Sequence, residues 1–300
     1  MSLLQLAALV ALGAMWGVSY IFIRIAVEPM GPIFLMFARV ALSGLILLVY
    51  ARWRGQRLNL RGHWRKFLLL GLLGSALPFS LIAWAELTVT ASMAAILMST
   101  TPLFTTLVAA VGLGEKLTLA KLFGAALGIF GVAITVGGGE MILSVEVVAA
   151  TLALLGATLS YALGGVFAKR AFTGLDQLSM SSGQLIAASF ILAPLSLADL
   201  PHEAPPTEAI WATLGLVVIC TALAYQLYYY LIISAGPTQA LTVTLLIPVF
   251  GVVFGAVLLQ ESISPGIVIG LLVVLLSVGL VTGLISPKRS RAMQNPSRAA

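Results

Sequence analysis

The sequence predicts an all-α integral membrane protein: ten transmembrane helices, arranged as two inverted-topology five-helix repeats around a central cavity. Three observations predict it. Hydrophobic residues make up 60% of the chain and charged residues 9%, against roughly 25% charged in soluble globular proteins. Long apolar runs recur from end to end, each near the ~20 residues a helix needs to cross a bilayer. Finally, Pro102, Phe104, Ala110, Val111, Leu113, Glu115 and Gly124 return as Pro248, Phe250, Ala256, Val257, Leu259, Glu261 and Gly270, all at one offset. Ala94/Ala240, Val132/Val278 and Gly137/Gly283 continue the match. Aliphatic identities between membrane helices arise by chance, but paired prolines and glutamates at one spacing do not. Internal duplication in a membrane chain points to a transporter built from two halves. An outer-membrane barrel would need alternating segments of ~10 residues, a pattern the sequence lacks.

Taken in order, the spans fall at 3–23, 32–50, 67–85, 91–113, 119–136, 147–168, 180–197, 209–232, 237–259 and 265–285. The first repeat covers 1–138 and the second 147–286; the polar tail, 287–300, is expected to be disordered and cytoplasmic. The first apolar run has no basic segment before it and continues through Trp16 and Tyr20, so it reads as a permanent span and not a cleaved signal peptide. Cys220 stands alone, which excludes an internal disulfide and suits a small core residue.

Basic residues orient the ten-span arrangement. Arg52, Arg54, Arg57, Arg61, Arg65 and Lys66 follow the second span, Lys116 and Lys121 the fourth, Lys169 and Arg170 the sixth. Lys288, Arg289, Arg291 and Arg298 follow the tenth. All fall on one side, which the positive-inside rule makes the cytoplasm, with both termini there. The opposite loops carry Glu86, Glu140, Glu146, Asp199, His202, Glu203 and Glu208 without a lysine or arginine. The net charge of +6 therefore requires no nucleic-acid partner. Because five is odd, the second repeat enters the membrane from the opposite side to the first. Glu115 then lies at the cytoplasmic end of span four and Glu261 at the outer end of span nine. Such a pseudo-two-fold arrangement suits alternating access, with substrate near the midplane.

The Trp16-Gly17 pair, the Arg39 segment and the Pro102…Glu115 and Pro248…Glu261 segments resemble the drug/metabolite transporter superfamily, specifically its ten-helix EamA-type members. Within that group the chain is similar to the YddG-type bacterial inner-membrane exporters of aromatic and other neutral amino acids. The resemblance covers nearly the whole chain. It implies a basket of helices around a cavity lined by spans one, three, four, six, eight and nine. Spans five and ten would support it from outside or mediate contacts in a homodimer.

Several residues are candidates to face that cavity. Trp16, Tyr20 and Arg24 share one helical face; Arg24 is expected to snorkel to the outer interface, while Trp16 either lines the cavity or packs. Its repeat mate, by the shift that also pairs Phe22 with Phe167 and Arg24 with Lys169, is Tyr161. Phe79, Ser80 and Trp84 correspond to Tyr225, Gln226 and Tyr230, with Tyr228 and Tyr229 nearby. Tyr225 and Gln226 are expected to point inward, toward substrate, water or a neighbouring helix, since unpaired polar groups are costly against hydrocarbon. Pro102 and Pro248, near mid-span, each lack a donor and push away the carbonyl four residues earlier, of Met98 and Thr244. Those carbonyls are either ligands for a substrate ammonium or are satisfied by hydroxyls such as those of Thr100, Thr101 and Thr242; the prolines themselves are expected to act as hinges. Arg39 lies inside the second span, roughly 12 Å along its helix at ~1.5 Å per residue. It is either a brace, bonded to carbonyls or a helix C-terminus, or a positive charge that draws a substrate carboxylate.

The substrate-binding candidates are therefore Trp16, Tyr20, Phe79, Ser80, Met98, Thr101, Tyr161, Tyr225, Gln226 and Thr244, with Pro102 and Pro248 as hinges. No acid is expected deep in a span, and His63 and His202 fall in loops, so facilitated diffusion without ion coupling is the simplest mode. Glycine spacings such as Gly13/Gly17, Gly124/Gly128, Gly251/Gly255 and Gly266/Gly270 read as close helix packing. No metal cluster, phosphate loop or hydrolase elbow is visible, so neither cofactor nor enzymatic activity is expected. The expected partners are membrane lipid and a neutral amino acid of large apolar type. Drugs or other metabolites in the same cavity are the alternative; an intramembrane enzyme or a non-transporting scaffold fits the duplication poorly.

Overall fold

A computed structural model describes residues 1–56, 58, 60–138, 144–172 and 174–284, without the side chains of Arg61, Tyr229, Pro237 and Thr238. Arg57, Glu140 and the tail 287–300 with its four basic residues lie outside the described residues. The architecture is helical throughout the described residues: α1 Leu3–Met30, α2 Pro32–Trp53, α3 Trp64–Ala85, α4 Ala91–Leu113, α5 Leu119–Gly137, α6 Val145–Ala171, α7 Gln177–Ser196, α8 Thr207–Ala235, α9 Pro237–Ala240 with Val243–Leu258, and α10 Pro265–Thr282. Among the described residues nine of these are long and apolar enough to cross a membrane, and α9 falls short only because it is interrupted. Hydroxyl and carboxylate N-caps start many of them, and Thr118 and Ser264, each accepting an N–H three residues on, occupy matched positions of the two repeats.

The two repeats share irregularities as well as residues. Helix α3 loosens to π geometry at Leu72–Ala76, and α8 does so at Val218–Leu223. The shift that pairs Pro102 with Pro248 pairs Leu72 with Val218. A π turn leaves carbonyls poorly bonded within the helix, and such turns gather at functional sites. Each is tied from a helix of the other repeat. Gln184 of α7 donates to the Gly74 carbonyl and to the Ser75 hydroxyl, both at 2.8 Å, and Ser160 of α6 donates to the Leu73 carbonyl at 2.8 Å. Ser43 of α2 donates to the Val217 carbonyl at 3.0 Å.

Small residues bring the helices together. A Cβ on Gly17 would stand 2.5 Å from Phe250 Cβ and 3.0 Å from the Gly251 nitrogen, so α1 and α9 cross with backbones nearly touching. Helices α5 and α10 pair along their length, with Gly124 and Gly128 against Ser277, whose hydroxyl donates to the Gly124 carbonyl at 2.6 Å. Their other faces expose Phe123, Ile129, Phe130, Ile269 and Leu272, as lipid contact requires.

The two ends of the bundle differ. One end gathers the start of α1 and the end of α8 (Gln5 to the Ser234 carbonyl, 2.8 Å), and the start of α3 and the end of α6 (Lys66 to the Ala171 carbonyl, 2.9 Å). There Lys169 and Glu115 form an exposed ion pair at 3.2 Å. At the opposite, distal end the contacts are part-buried. Asp199 accepts from the N–H groups of Ile33 and Phe34, capping α2. Glu261 accepts from the N–H groups of Ala91 (2.8 Å) and Ser92 (3.0 Å) and from the Ser92 hydroxyl, capping α4.

Arg24, expected to reach toward the outer interface, donates from its guanidinium to the Glu86 backbone carbonyl at this end. Glu86 lies, as expected, in the connection directly after α3, but it is fully buried there, and neither carboxyl oxygen has a hydrogen-bond partner among the described residues. Burial holds this carboxyl well above the usual carboxylate range, with repulsion from Glu261 adding to the rise and Arg24 and Arg39 opposing it. The tight distal packing that a length-based reading cannot see is what draws the residue in.

Candidate functional site

A cavity of about 420 Å³ lies between the repeats, bounded by α1, α2, α3, α4, α6, α7, α8 and α9. That volume is within the range of small-molecule sites, ~300–1,000 Å³. Trp16, Tyr20, Phe79, Met98, Thr101, Pro102, Tyr161, Tyr225 and Thr244 all line it. Ser80, Gln226 and Pro248 are not among its lining residues. The Ser80 hydroxyl and the Gln226 amide nitrogen are instead buried without a hydrogen-bond partner among the described residues, and Pro248 is buried within α9. Neighbouring positions on a helix face different ways, so Phe79 and Tyr225 enter the cavity while Ser80 and Gln226 turn aside.

Aromatic pairs shape the walls. Trp16 packs on Tyr228 with ring centroids 5.4 Å apart, and Phe79 meets Tyr161 edge-on at 6.3 Å. Ser75, from the π turn of α3, is a hydrogen-bond partner of Tyr225. Cys220, expected as a core residue, is buried and also lines the cavity.

The prolines act differently from one another. Helix α4 is broken at Ser99 and Thr100, and Pro102 sits in the first turn of the segment Thr101–Leu113, where a missing donor costs nothing. Pro248 lies inside Val243–Leu258, well past the interruption of α9 at Leu241 and Thr242. The matched kinks expected from the sequence are thus one break at a proline and one break before it. Hydroxyls occupy the loosened carbonyls: Thr101 donates to Met98, Thr100 to Leu97 and Ser99 to Ile96, at 2.6–2.7 Å. In the second repeat, Thr242 donates to Gln239 and Thr244 to Leu241. Short hydroxyl side chains supply bonds that hydrocarbon cannot.

Arg39 is buried in this wall. Its Nε donates to the Thr221 hydroxyl at 3.0 Å, and its guanidinium carbon lies 4.0 Å from the centroid of the Phe79 ring. The carbonyl or helix-terminus partner expected from the sequence is a hydroxyl and a ring instead. Thr221 in turn donates to the Leu216 carbonyl inside the π turn of α8. Among the described residues that line the cavity, Arg39 alone is charged.

Sequence reasoning missed Gln184, Ser19, Ser99, Gly164 and Gly165 as lining residues. A signal existed for Gln184: the shift that pairs Trp16 with Tyr161 pairs Arg39 with Gln184. The glycines allow close approach: a Cβ on Gly164 would meet the Gly74 nitrogen at 3.3 Å. A separate depression of about 600 Å³ lies between α3, α4 and α6, walled by Leu69, Leu107, Val111, Leu163 and Phe167 and apolar except for Arg170.

Matches to known proteins agree with this architecture. The model of the EamA-like transporter family matches residues 3–137 and again 148–283. This chain belongs to that family. It is 29% identical to the uncharacterized inner membrane transporter YedA of Escherichia coli K12 over 82% of this chain and 79% of that protein. It is 20% identical to the uncharacterized transporter YoaV of Bacillus subtilis, over 81% and 85% of the two chains. Over 44% of its length it is 32% identical to a probable terminal-alkyne amino-acid exporter of Streptantibioticus cattleyicolor, covering 45% of that protein. A solved crystal structure, 20% identical, superposes with a TM-score of 0.68 over 93% of this chain and 96% of the other, which shows the shared fold. The EamA-type chain is thus a multi-pass membrane transporter.

Proposed function

We propose that this EamA-type transporter exports neutral, mainly aromatic and large apolar amino acids across a bacterial inner membrane by alternating access, as facilitated diffusion without ion coupling. The observation that carries the reading is the cavity wall: Trp16, Tyr20, Phe79, Tyr161, Tyr225 and Tyr228 surround a volume suited to one amino acid. Burying a large apolar side chain gains roughly 1.5–3 kcal/mol, so such walls select by size. No acid lines the cavity among the described residues, which favours transport without a coupled proton. The partial similarity to a probable amino-acid exporter and the resemblance to YddG-type exporters point the same way.

Orientation follows from charge. Lys66, Lys169 and Arg170 belong to the end bearing the chain start, and we take that end as cytoplasmic. The repeats are read as inverted: Glu261 caps α4 at the distal end, whereas its mate Glu115 stands at the cytoplasmic end. There it pairs with Lys169. A fastened distal gate is what an inward-facing state of an alternating-access carrier requires.

Counterflow with purified protein in liposomes across an amino-acid panel tests the reading. Phenylalanine, tryptophan and methionine should exchange and equilibrate without an imposed proton or sodium gradient. Accumulation that a proton ionophore abolishes would overturn the uncoupled mechanism. Exchange of other metabolites or drugs, but of no amino acid, would favour the alternative substrate class. Reporter fusions after Ser286 should behave as cytoplasmic and those near Asp199 as periplasmic; finding both on one side would defeat the inverted topology.

A further inference from the structure

The two repeats use the same brace with different chemistry. By the shift that pairs Trp16 with Tyr161, Arg39 of α2 corresponds to Gln184 of α7. By the shift that pairs Pro102 with Pro248, Ser75 corresponds to Thr221. The contacts correspond too: Gln184 Nε2 donates to the Ser75 hydroxyl at 2.8 Å, and Arg39 Nε donates to the Thr221 hydroxyl at 3.0 Å. Each fastens a second-position helix of one repeat to the π turn of the other. A neutral amide performs this task on one side of the pseudo-two-fold, so the task does not require a charge.

Arg39 nonetheless carries one, and a guanidinium stays protonated and offers five N–H donors in a planar fork. One donor is used by Thr221, and the Phe79 ring at 4.0 Å covers one face. No carboxylate of the described residues lies within 4.0 Å of Arg39, because the ion pair found among them joins Lys169 to Glu115. Glu86, the acid in its electrostatic neighbourhood, stands beyond the distal end of α3 and is not a lining residue. A buried cation of this kind requires a partner or water, and here it lines a cavity with no acid among its described lining residues.

We propose that Arg39 is the carboxylate anchor of the cavity, so that its substrates are carboxylate-bearing molecules, zwitterionic or monoanionic, and organic cations are excluded. The proposal rests on the amino-acid reading for the choice of substrate, and on the geometry for the charge requirement. The fork matches a carboxylate bidentately, while the aromatic walls take the side chain. A substrate ammonium is then left to neutral acceptors such as Tyr225 and the cavity-lining hydroxyls. This distinguishes the site from a cationic-drug cavity, which requires an acid.

The test uses full-length protein, with labelled phenylalanine in liposomes and direct calorimetric binding as parallel readouts, and three ligands: phenylalanine, 3-phenylpropanoate, which keeps only the carboxylate, and phenylethylamine, which keeps only the ammonium. For the parental protein 3-phenylpropanoate should compete and phenylethylamine should not. Arg39→Gln installs the brace already present at Gln184. It should keep the parental melting temperature but lose tenfold or more in affinity for both carboxylates. Arg39→Lys keeps the charge and should retain the preference for 3-phenylpropanoate over phenylethylamine. If R39Q is folded and binds phenylalanine within twofold of the parent, the anchor is disproved and the amino-acid reading survives. If the parent ignores every amino acid yet binds 3-phenylpropanoate in an Arg39-dependent way, the anchor stands and the amino-acid reading falls. Should R39Q fail to fold, parental preference for phenylethylamine over 3-phenylpropanoate would by itself overturn the proposal, and the reverse preference, kept in R39K, would support it.

Discussion

Removing the Glu261 carboxylate should open the distal end of the cavity. In the structure this one group accepts from two backbone N–H groups, of Ala91 and Ser92, and from the Ser92 hydroxyl, at the N-terminus of α4. Hydrogen bonds to a charged group contribute about 1.5–3 kcal/mol each, and part of each is returned when water replaces the carboxylate. Thr90 also caps Met93 and remains after substitution. The net loss for Glu261→Ala should therefore be about 2–4 kcal/mol, a roughly thirty- to several-hundred-fold shift toward the distal-open form. Glu261→Gln keeps an acceptor without the charge and should fall between. The assay is reaction of an impermeant thiol reagent, applied from the distal side, with a cysteine at Thr101, in a Cys220→Ala background. Thr101 lines the cavity beside the break in α4, so labelling reports entry past the gate. If E261A is folded, and distal labelling of Thr101→Cys is unchanged, Glu261 does not hold the gate and the reasoning is wrong.

Three further outcomes are expected. Trp16→Ala and Tyr225→Ala remove wall area without altering the helix breaks, so they should weaken phenylalanine transport by about tenfold while leaving threonine transport within about twofold, given ~1.4 kcal/mol per tenfold; equal effects on both substrates would make these residues packing. Pro102→Ala should be mild because the proline occupies a first turn, whereas Pro248→Ala allows a helical bond to the Thr244 carbonyl and should slow every substrate alike; a substrate-selective P248A defect would rule out a hinge. Because burial raises the Glu86 carboxyl, the distal-closed form binds more protons than one that wets it. Acid therefore favours closure, and that advantage is lost as pH rises from the ordinary carboxylate pKa through the raised one. Distal labelling of Thr101→Cys, taken relative to an exposed reporter cysteine, should rise with pH, and Glu86→Gln should flatten the profile; parallel profiles would exclude Glu86 as the titrating group.

How much of the site the sequence discloses varies with the kind of signal. Trp16, Tyr161, Phe79 and Tyr225 are legible because aromatic rings at matched repeat positions of membrane helices rarely coincide by chance. Ser80 and Gln226 were not resolved from their cavity-facing neighbours, because helical rotation is fixed by packing and not by composition. The π turns of α3 and α8 leave no residue signature. Yet they set the register that brings Gln184 to Ser75 and Arg39 to Thr221. The burial of Glu86 is hidden for a related reason: its place after an apolar span is legible, but the contacts that enclose it are not.

By itself the sequence determines the membrane class, the duplication, the span order and the basic end of the bundle. These depend on local hydrophobicity, charge and repetition, which folding does not change. The tertiary structure alone decides that Glu261 reaches the start of α4, that α4 breaks at its proline while α9 breaks before it, and that the described residues lining the cavity include a cation and no acid. Those features arise from contacts between residues far apart in the chain. Their energies depend on distance and burial, which no linear pattern records.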